Sequence, residues 1–557
     1  MLCPGDAGAG DVVRLEETDP SVVPAERPTA PASRPLRTSL AAASLIVAAG
    51  FLGSRLLGLV RSVAIAHQFG TSPELGAYWV AFRLPDLAFQ LIAGATLASA
   101  FIPIFARRFQ EDERAAWRLA NSVITLVFLA TLAFAALGAI LAPWLVPAMA
   151  PGLGDDVGRS RELTSLAVDL TRIMMISPVL FSVSGMAMGV LNARQHFLWP
   201  AVAPMVYNLA IIVGALVSDD VRTLAWAVVA GAALHLAVQT PALRAVGLRY
   251  RFVADWRDAA VREVGRLMAP RVVGLAAYHF NFVITTFFAS VVSDEAISAV
   301  NFAWLVMMTP LGLFGMAIST AVFPTLAEQA ARDEREMRAT LTQALRLILF
   351  LTIPSSVGLM LLARPAVAFL FERGAFTAGS TDVVTAALVF YSAGLFAHAG
   401  IEILSRGFYA LADTRTPVTY AVVSMALNLL FALLFVGPFE VRGLALAVTL
   451  ATTVEFALLF RALHRRLEGG LDLGRLVYSG LRTVAASVLM AEVVGLYLLA
   501  LRAAGLSHTE RFTDAALALG GGAAIGAAVF FWTAARLKTP EVETLIERVP
   551  VLERLVR

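Results

Sequence analysis

Apolar runs of twenty residues or more recur along the chain, broken by short polar connections, and this spacing predicts an all-α polytopic membrane protein. A bilayer core about 30 Å thick needs about 20 apolar residues per helical crossing. On that measure about fourteen transmembrane helices are expected, near 40–67, 76–105, 119–146, 165–191, 199–217, 223–243, 269–292, 297–322, 342–363, 382–408, 417–436, 443–463, 479–501 and 513–535. Every second connection is rich in arginine: Arg107, Arg108, Arg114 and Arg118; Arg194; Arg244, Arg249, Arg251, Arg257, Arg262 and Arg266; Arg332, Arg335 and Arg338; Arg415; Arg461, Arg465, Arg466 and Arg475. The intervening connections carry acids such as Glu74, Asp155, Asp156, Asp219, Asp220, Asp294, Glu295 and Glu440. Since basic loops stay on the cytoplasmic side, both termini are expected there.

The segments outside this pattern divide the chain. Residues 1–38, rich in Pro, Ala and acids and without apolar periodicity, are expected to be a disordered cytoplasmic leader, and no signal peptide is recognised. Residues 39–243 hold helices one to six, 244–268 form a basic cytoplasmic linker near the midpoint, 269–466 hold helices seven to twelve, 467–536 the last two, and 537–557 a cytoplasmic tail. An internal repeat supports the division: GATLASAFIPIFA (94–106) and GMAISTAVFPTLA (315–327) match at Gly94/Gly315, Ala100/Ala321, Pro103/Pro324 and Ala106/Ala327. Six crossings separate the copies, so they share orientation and predict two parallel halves, an arrangement used by transporters with a pathway between the repeats. The paired breakers Pro85, Gly94 and Pro103 in helix two and Pro310, Gly315 and Pro324 in helix eight are the expected hinges.

Composition narrows the function. Apolar residues make up 58% of the 557 and charged residues 15%, which leaves no room for a large catalytic domain outside the membrane. The single cysteine, Cys3, excludes intrachain disulfides and thiolate metal cages. The net charge of +3 comes from arginines confined to particular loops, so it reports topology and not a nucleic-acid partner. Phosphate-binding loops, zinc-protease signatures and nucleophile elbows are absent from the sequence, so neither a chemical enzyme nor a resident cofactor is expected. Any energy for transport would come from the membrane potential or an ion gradient.

Charges inside the crossings carry the chemistry, because each costs about 2.5–3.5 kcal/mol to insert at the bilayer centre unless a cavity or partner receives it. Ser54, Arg55 and Arg61 lie in helix one; the arginines are roughly 120° from alignment and would border one polar groove, where forked guanidinium donors suit phosphate, or else snorkel to an interface. In helix two Arg83 and Asp86 stand three apart beside Pro85, either as a local ion pair or as substrate contacts. Glu402 and Arg406 form a second pair, four apart. Glu455 has no basic residue one turn away and, with Glu402 and the amide of Asn428, is the candidate ion or proton site. The intramembrane histidines His235 and His279 are read as core residues.

The segment GSRLLGLVRSVAIAHQFGTSPELGAYWVAFRLPDLAFQLIAGATLASAFIPIFARRF resembles the opening of the MurJ/MviN family, and APWLVPAMAPG, MGVLNARQHFLWPAVAPMVYNLAII, FLFERGAFT and RGFYALADTRTPV follow in the family's order. The resemblance covers about residues 39–536. It implies the multidrug/oligosaccharidyl-lipid/polysaccharide exporter superfamily, with two six-helix lobes around a central cavity plus two C-terminal helices. It also implies an alternating-access flippase in the bacterial cytoplasmic membrane that moves lipid II, the undecaprenyl-pyrophosphate-linked peptidoglycan precursor, to the outer leaflet. Ser54, Arg55 and Arg61 match the family's SR and R, whose arginines line the cationic cavity. The chain departs from the pattern at Ser62, Gly76, Asp86, Phe89–Gln90, Gly94 and Leu305, where the family commonly places other polar or charged residues. The partners implied are a lipid-linked oligosaccharide, membrane lipids and cell-wall synthesis proteins. The alternatives are a flippase or exporter of another cargo in the superfamily, such as a polysaccharide-repeat lipid, drug or cation, and a non-transporting scaffold for cell-wall synthesis.

Overall fold

A computed structural model of the chain describes residues 40–542 apart from 94, 155–156 and 507–510, with the backbone alone at 40–44, 92–93, 95–99 and 269–278. The expected leader, Gly94 and the tail beyond 542 therefore lie outside the described residues. The chain divides into two compact units, Met1–Leu45 and Ile46–Arg557, the second of which holds most of the helices and the cavities.

No strand occurs among the described residues. The first half runs through α1 (Leu40–Phe69), α2 (Pro73–Ala88), a π-helical turn (Phe89–Ala93), α3 (Ala95–Glu111), α4 (Glu113–Met149), α5 (Val157–Met174), α6 (Ile176–Ala193), α7 (Leu198–Val217), α8 (Val221–Ala237) and a short α9 (Thr240–Ala245). The second runs through α10 (Ala259–Val292), α11 (Asp294–Pro310), another π-helical turn (Leu311–Met316), α12 (Ala317–Arg332), α13 (Glu334–Leu361), α14 (Ala363–Phe371), α15 (Ala378–Ala393), α16 (Leu395–Ala410) and α17 (Arg415–Arg466). The chain continues with α18 (Leu473–Ala503) and α19 (Phe512–Arg536).

Among the described residues ten helices are long and apolar enough to span a bilayer, and the pair α15–α16, bent by 45°, makes an eleventh. One of the ten, α17, is 52 residues long and breaks at Glu440 (φ 50°, ψ −129°). Straight, it would reach about 78 Å, more than twice the hydrocarbon core. The break folds it into a hairpin in which Gly443 lies against the Phe435 carbonyl, so close that a Cβ would collide with it. All fourteen expected segments fall on helix. Two of them fall short of a continuous apolar span: 76–105 is split into helices of 16 and 17 residues by the π-helical turn, and 269–292 has described side chains only from His279 onward.

The repeat is visible in the backbone. Asp112 caps α4 and Asp333 caps α13 with nearly the same conformation (φ −151°, ψ 108° and φ −148°, ψ 108°). Each carboxylate accepts the backbone N–H two residues on, Arg114 at 2.8 Å and Arg335 at 2.7 Å, satisfying an orphan donor of the first turn. The two π-helical turns sit at corresponding places, just after Pro85 and Pro310.

At the arginine-rich end the linker is tied to the first half: Arg108 on α3 donates to both Asp258 oxygens at 2.9 and 3.1 Å. Partial burial raises the Asp258 carboxyl, but Arg108 and the Ala260 N–H outweigh it and hold the group below the usual carboxylate range. After α19 the chain folds back, and Glu541, 4% exposed, accepts from Arg346 on α13 at 2.6–2.7 Å and from Ser479 on α18 at 2.8 Å. Removing one member of such a buried pair strands the other charge. Glu541→Ala is thus expected to lower unfolding stability by about 3–5 kcal/mol, read as a shift of the thermal midpoint in detergent. An unchanged midpoint would show that the ion pair does not hold the chain end.

Candidate functional site: two polar cavities flanking a proline-broken helix

The larger cavity, about 630 Å³, lies among α1, α2, α6, α7 and α8. Small residues build its wall: a Cβ on Gly50 or Gly53 would collide with Ala201 or Met205, so these glycines let α7 approach α1 closely. Asn208 on α7 then reaches the Ser54 carbonyl at 3.4 Å. Ser54 and Arg61 are seven apart, two turns of helix, and so share the face that lines the cavity. Tyr78, Trp79, Phe82, Phe181 and Tyr207 supply aromatic surface, while Asn192, Asn208 and His235 add polar groups. The His235 Nδ1 is held 2.6 Å from Ser184 Oγ, which also accepts from Gln239 at 2.7 Å. His235 is a satisfied core residue at the cavity edge, as its isolation in the sequence suggested.

Arg55 takes a different position. Six residues from Arg61, its exposed side chain turns toward the second π-helical turn, where its guanidinium faces Gly312, and stacks over Phe51 at 5.1 Å. It therefore stands at the seam between α1 and the α11–α12 element, outside the lining of either polar cavity. The single groove expected for both arginines is divided by their offset around the helix.

The expected Arg83–Asp86 pair is also divided. Arg83 donates from Nε to Thr286 Oγ1 and from an Nη to Asn301 Oδ1, both at 2.9 Å, and lies 5.4 Å from the Phe282 ring centroid. Asp86 instead places Oδ2 3.6 Å from His279 Nδ1 and receives a hydrogen bond from Gln90. The physical reason is reach: the long arginine finds two fixed acceptors on α10 and α11, while the short aspartate stays beside the imidazole on α10. As a result Arg83 lines the smaller cavity and Asp86 the larger. His279, read from the sequence as a core residue, is buried, and its partner is Asp86 across two helices.

The smaller cavity, about 290 Å³, gathers Glu402, Glu455, His398, Tyr391, Asn281, Asn301, Thr285 and Thr452 around Arg83. Glu402 forms the expected pair with Arg406 at 3.4 Å, and Arg406 also donates to Thr320 on α12 at 3.1 Å. Glu455 finds Ser424 on the other limb of the α17 hairpin as a hydrogen-bond partner. Asn428 does not join it: buried outside the cavity lining, its amide donates to Asn281 at 2.8 Å and ties α17 to α10. No group of three or more His, Cys, Asp or Glu that could hold a metal occurs among the described residues.

A third hollow, about 420 Å³ and almost wholly apolar, is walled by α13, α18, α19 and the second π-helical turn, including Pro310, Phe314, Leu351, Gly358, Met490, Gly522 and Phe530. The hinge candidates surround the π-helical turns without breaking the helices themselves: Pro103 and Pro324 lie within α3 and α12, and Pro85 and Gly315 are buried.

The two halves meet at the arginine-poor end. Thr71 and Ser380 share a hydroxyl hydrogen bond at 2.8 Å, the Ala375 N–H donates to the His67 carbonyl at 2.8 Å, and the Gly154 N–H to Asp294 Oδ1 at 2.8 Å. Gly70 (φ +58°) and Gly374 (φ +63°) are required here: both are left-handed, and a Cβ on either would strike the facing backbone. Among the described residues no hydrogen bond or ion pair at the arginine-rich end joins α1–α8 to α11–α17.

The partners of Arg83 and Asp86 lie about 200 residues away on other helices, and no local signal in the sequence marks Thr286, Asn301 or His279 as their contacts. Tyr78 and Tyr207, on the wall of the larger cavity, were not singled out in the sequence.

The family model for lipid II flippase MurJ matches residues 65–512. The lipid II flippase MurJ of Burkholderia cenocepacia is 34% identical over 435 residues, covering 76% of this chain and 84% of that protein. The probable lipid II flippase MurJ of Rhizobium tropici is 31% identical over 444 residues, covering 77% and 81%. Among solved structures, a lipid II flippase MurJ in an inward closed conformation superposes with a TM-score of 0.74 at 24% identity over 90% of this chain and all of that one. An inward-facing multidrug resistance MATE transporter of the MOP superfamily gives 0.62 at 15% identity over 77% and 98%. With its helical architecture, its divided polar cavities and a family match over most of its length, the chain belongs to the lipid II flippase MurJ family.

Proposed function

We propose that the chain flips lipid II, the lipid-linked peptidoglycan precursor, from the inner to the outer leaflet of the bacterial cytoplasmic membrane by alternating access. The observation that carries this reading is the large cavity with Arg61 on its wall, beside halves whose facing turns are hydrogen-bonded together at the arginine-poor end. With the arginine-rich end and both termini cytoplasmic, the cavity is arranged to receive a headgroup from inside. Arg61 offers a forked donor pair to a phosphate, Asp86 a carboxylate to an amine, and the tyrosines and asparagines neutral hydrogen bonds to sugar and peptide. Arg55, at the seam between α1 and the second π-helical turn, meets the same phosphate as it enters sideways.

The apolar hollow beneath α18 and α19 suits a polyprenyl chain, which gains burial without crossing the polar path. The lobes are residues 39–243 and 269–466, joined by the 244–268 linker, and the π-helical turns beside Pro85 and Pro310 let each lobe's second helix bend. Glu402 and Glu455 form the coupling site for a cation or proton.

The test is leaflet accessibility of lipid II in cells depleted of their own flippase. Supplying this chain is expected to restore outward exposure to the level given by the native flippase. Correct insertion with no restoration would overturn the reading in favour of another cargo or a scaffold.

A further inference from the structure

At the arginine-rich end of the α17 hairpin, a groove of about 390 Å³ is lined by Tyr420 on the first limb and by Leu458, Arg461, Ala462, Arg465 and Arg466 on the second. The second-limb residues follow the spacing i, i+3, i+4, i+7, i+8, which is one continuous face of a helix. A face turned toward a neighbouring limb is normally filled with interlocking apolar side chains. Here three of its five positions are arginines, and the space between the limbs is left open.

The arginines have no carboxylate within ion-pair distance among the described residues. Others at the same end do: Arg107 meets Glu263, Arg108 meets Asp258, Arg332 meets Glu328 and Arg475 meets Asp472. The acid that faces Arg466 across the turn, Asp413, is already engaged by the Thr416 hydroxyl at 2.7 Å and by the backbone N–H groups of Arg415 and Thr416 at 3.0 and 3.1 Å. Forked guanidinium donors over a floor of Leu458 and Ala462, with a tyrosine at the rim, match a phosphodiester that carries its acyl chains into the bilayer. A free phosphate has no use for that floor.

We infer that this groove is a binding site for an anionic glycerophospholipid of the surrounding membrane, separate from the transport cavities. The headgroup phosphate lies against Arg461 and Arg465, and bound lipid holds the cytoplasmic ends of the two limbs at a fixed spacing.

The experiment uses the full chain reconstituted in phosphatidylcholine bilayers containing a minority of phosphatidylglycerol, extracted gently and weighed for retained lipid by mass spectrometry. Wild-type protein is expected to retain phosphatidylglycerol in preference to phosphatidylcholine. The double variant Arg461→Gln/Arg465→Gln is expected to lose that preference by roughly tenfold or more, in line with two membrane-proximal arginines. Arg332→Gln/Arg335→Gln, which removes the same charge at the same end, is expected to keep it, and Arg461→Lys/Arg465→Lys to keep part of it. Equal retention by the two glutamine pairs overturns the site. Loss of bound lipid on adding millimolar inorganic phosphate overturns it as well, assigning the groove to a soluble anion. Because retention is read without transport, failure here leaves the flippase reading standing, and the converse holds.

Discussion

Arg61→Ala is expected to reduce lipid II exposure on the outer leaflet to the level of flippase-depleted cells while the protein inserts at its normal abundance. Arg61 shares with Ser54 the α1 face that lines the larger cavity, whereas Arg83 is occupied by Thr286 and Asn301 and belongs to the smaller one. A phosphate in the larger cavity therefore depends on Arg61 in a way it does not depend on Arg83. Hydrogen bonds to charged groups contribute about 1.5–3 kcal/mol, so losing them weakens headgroup binding by roughly ten- to hundredfold. Arg61→Lys keeps the charge but not the fork and is expected to fall between wild type and Arg61→Ala. Normal exposure with Arg61→Ala would remove the phosphate role from this residue and shift it to Arg55 at the seam.

The helical architecture was legible because each crossing must satisfy its own backbone hydrogen bonds in lipid, which leaves long apolar runs in the sequence. The repeat was legible for a related reason. Asp112 and Asp333, 221 residues apart, cap the same turn in both halves, and the matched prolines Pro103 and Pro324 follow π-helical turns at corresponding places. The rotation of each helix was not legible. Arg83 and Asp86 have the spacing of a local ion pair, yet they face different cavities because His279, Thr286 and Asn301 are brought to them from across the fold. Asn428 likewise lies on the hairpin with Glu455 but spends its amide on Asn281. Charge spacing along one helix identifies who is available to pair; the neighbouring helices decide the partner.

The departures from the family pattern gain meaning in the same way. Asp86, where the family commonly has asparagine, does not place an unmatched charge in the membrane, because His279 and Gln90 meet it. Among the described residues the wall of the larger cavity carries one arginine, Arg61, and one carboxylate, Asp86. On the proposed reading, Arg61 would meet a phosphate and Asp86 an amine of the headgroup.

Joining the halves at the arginine-poor end is expected to stop transport without disturbing the cavity. Thr71, in the turn between α1 and α2, and Ser380, in the first turn of α15, bring their hydroxyl oxygens to 2.8 Å. The variant Thr71→Cys/Ser380→Cys in a Cys3→Ser background therefore places two sulfurs close enough to bond on oxidation, and Cys3 is the chain's sole native cysteine. Alternating access requires this end to open so that the headgroup can leave. Oxidised protein should leave lipid II unexposed in proportion to the cross-linked fraction, and a reducing agent should restore exposure. Each single-cysteine variant should flip normally under the same oxidant, which separates the effect of the bond from that of the substitutions. Full transport by quantitatively cross-linked protein would show that the halves need not part here, and the headgroup would then have to exit by a route other than the one closed by Thr71, Ser380 and the facing turns of Gly70 and Gly374.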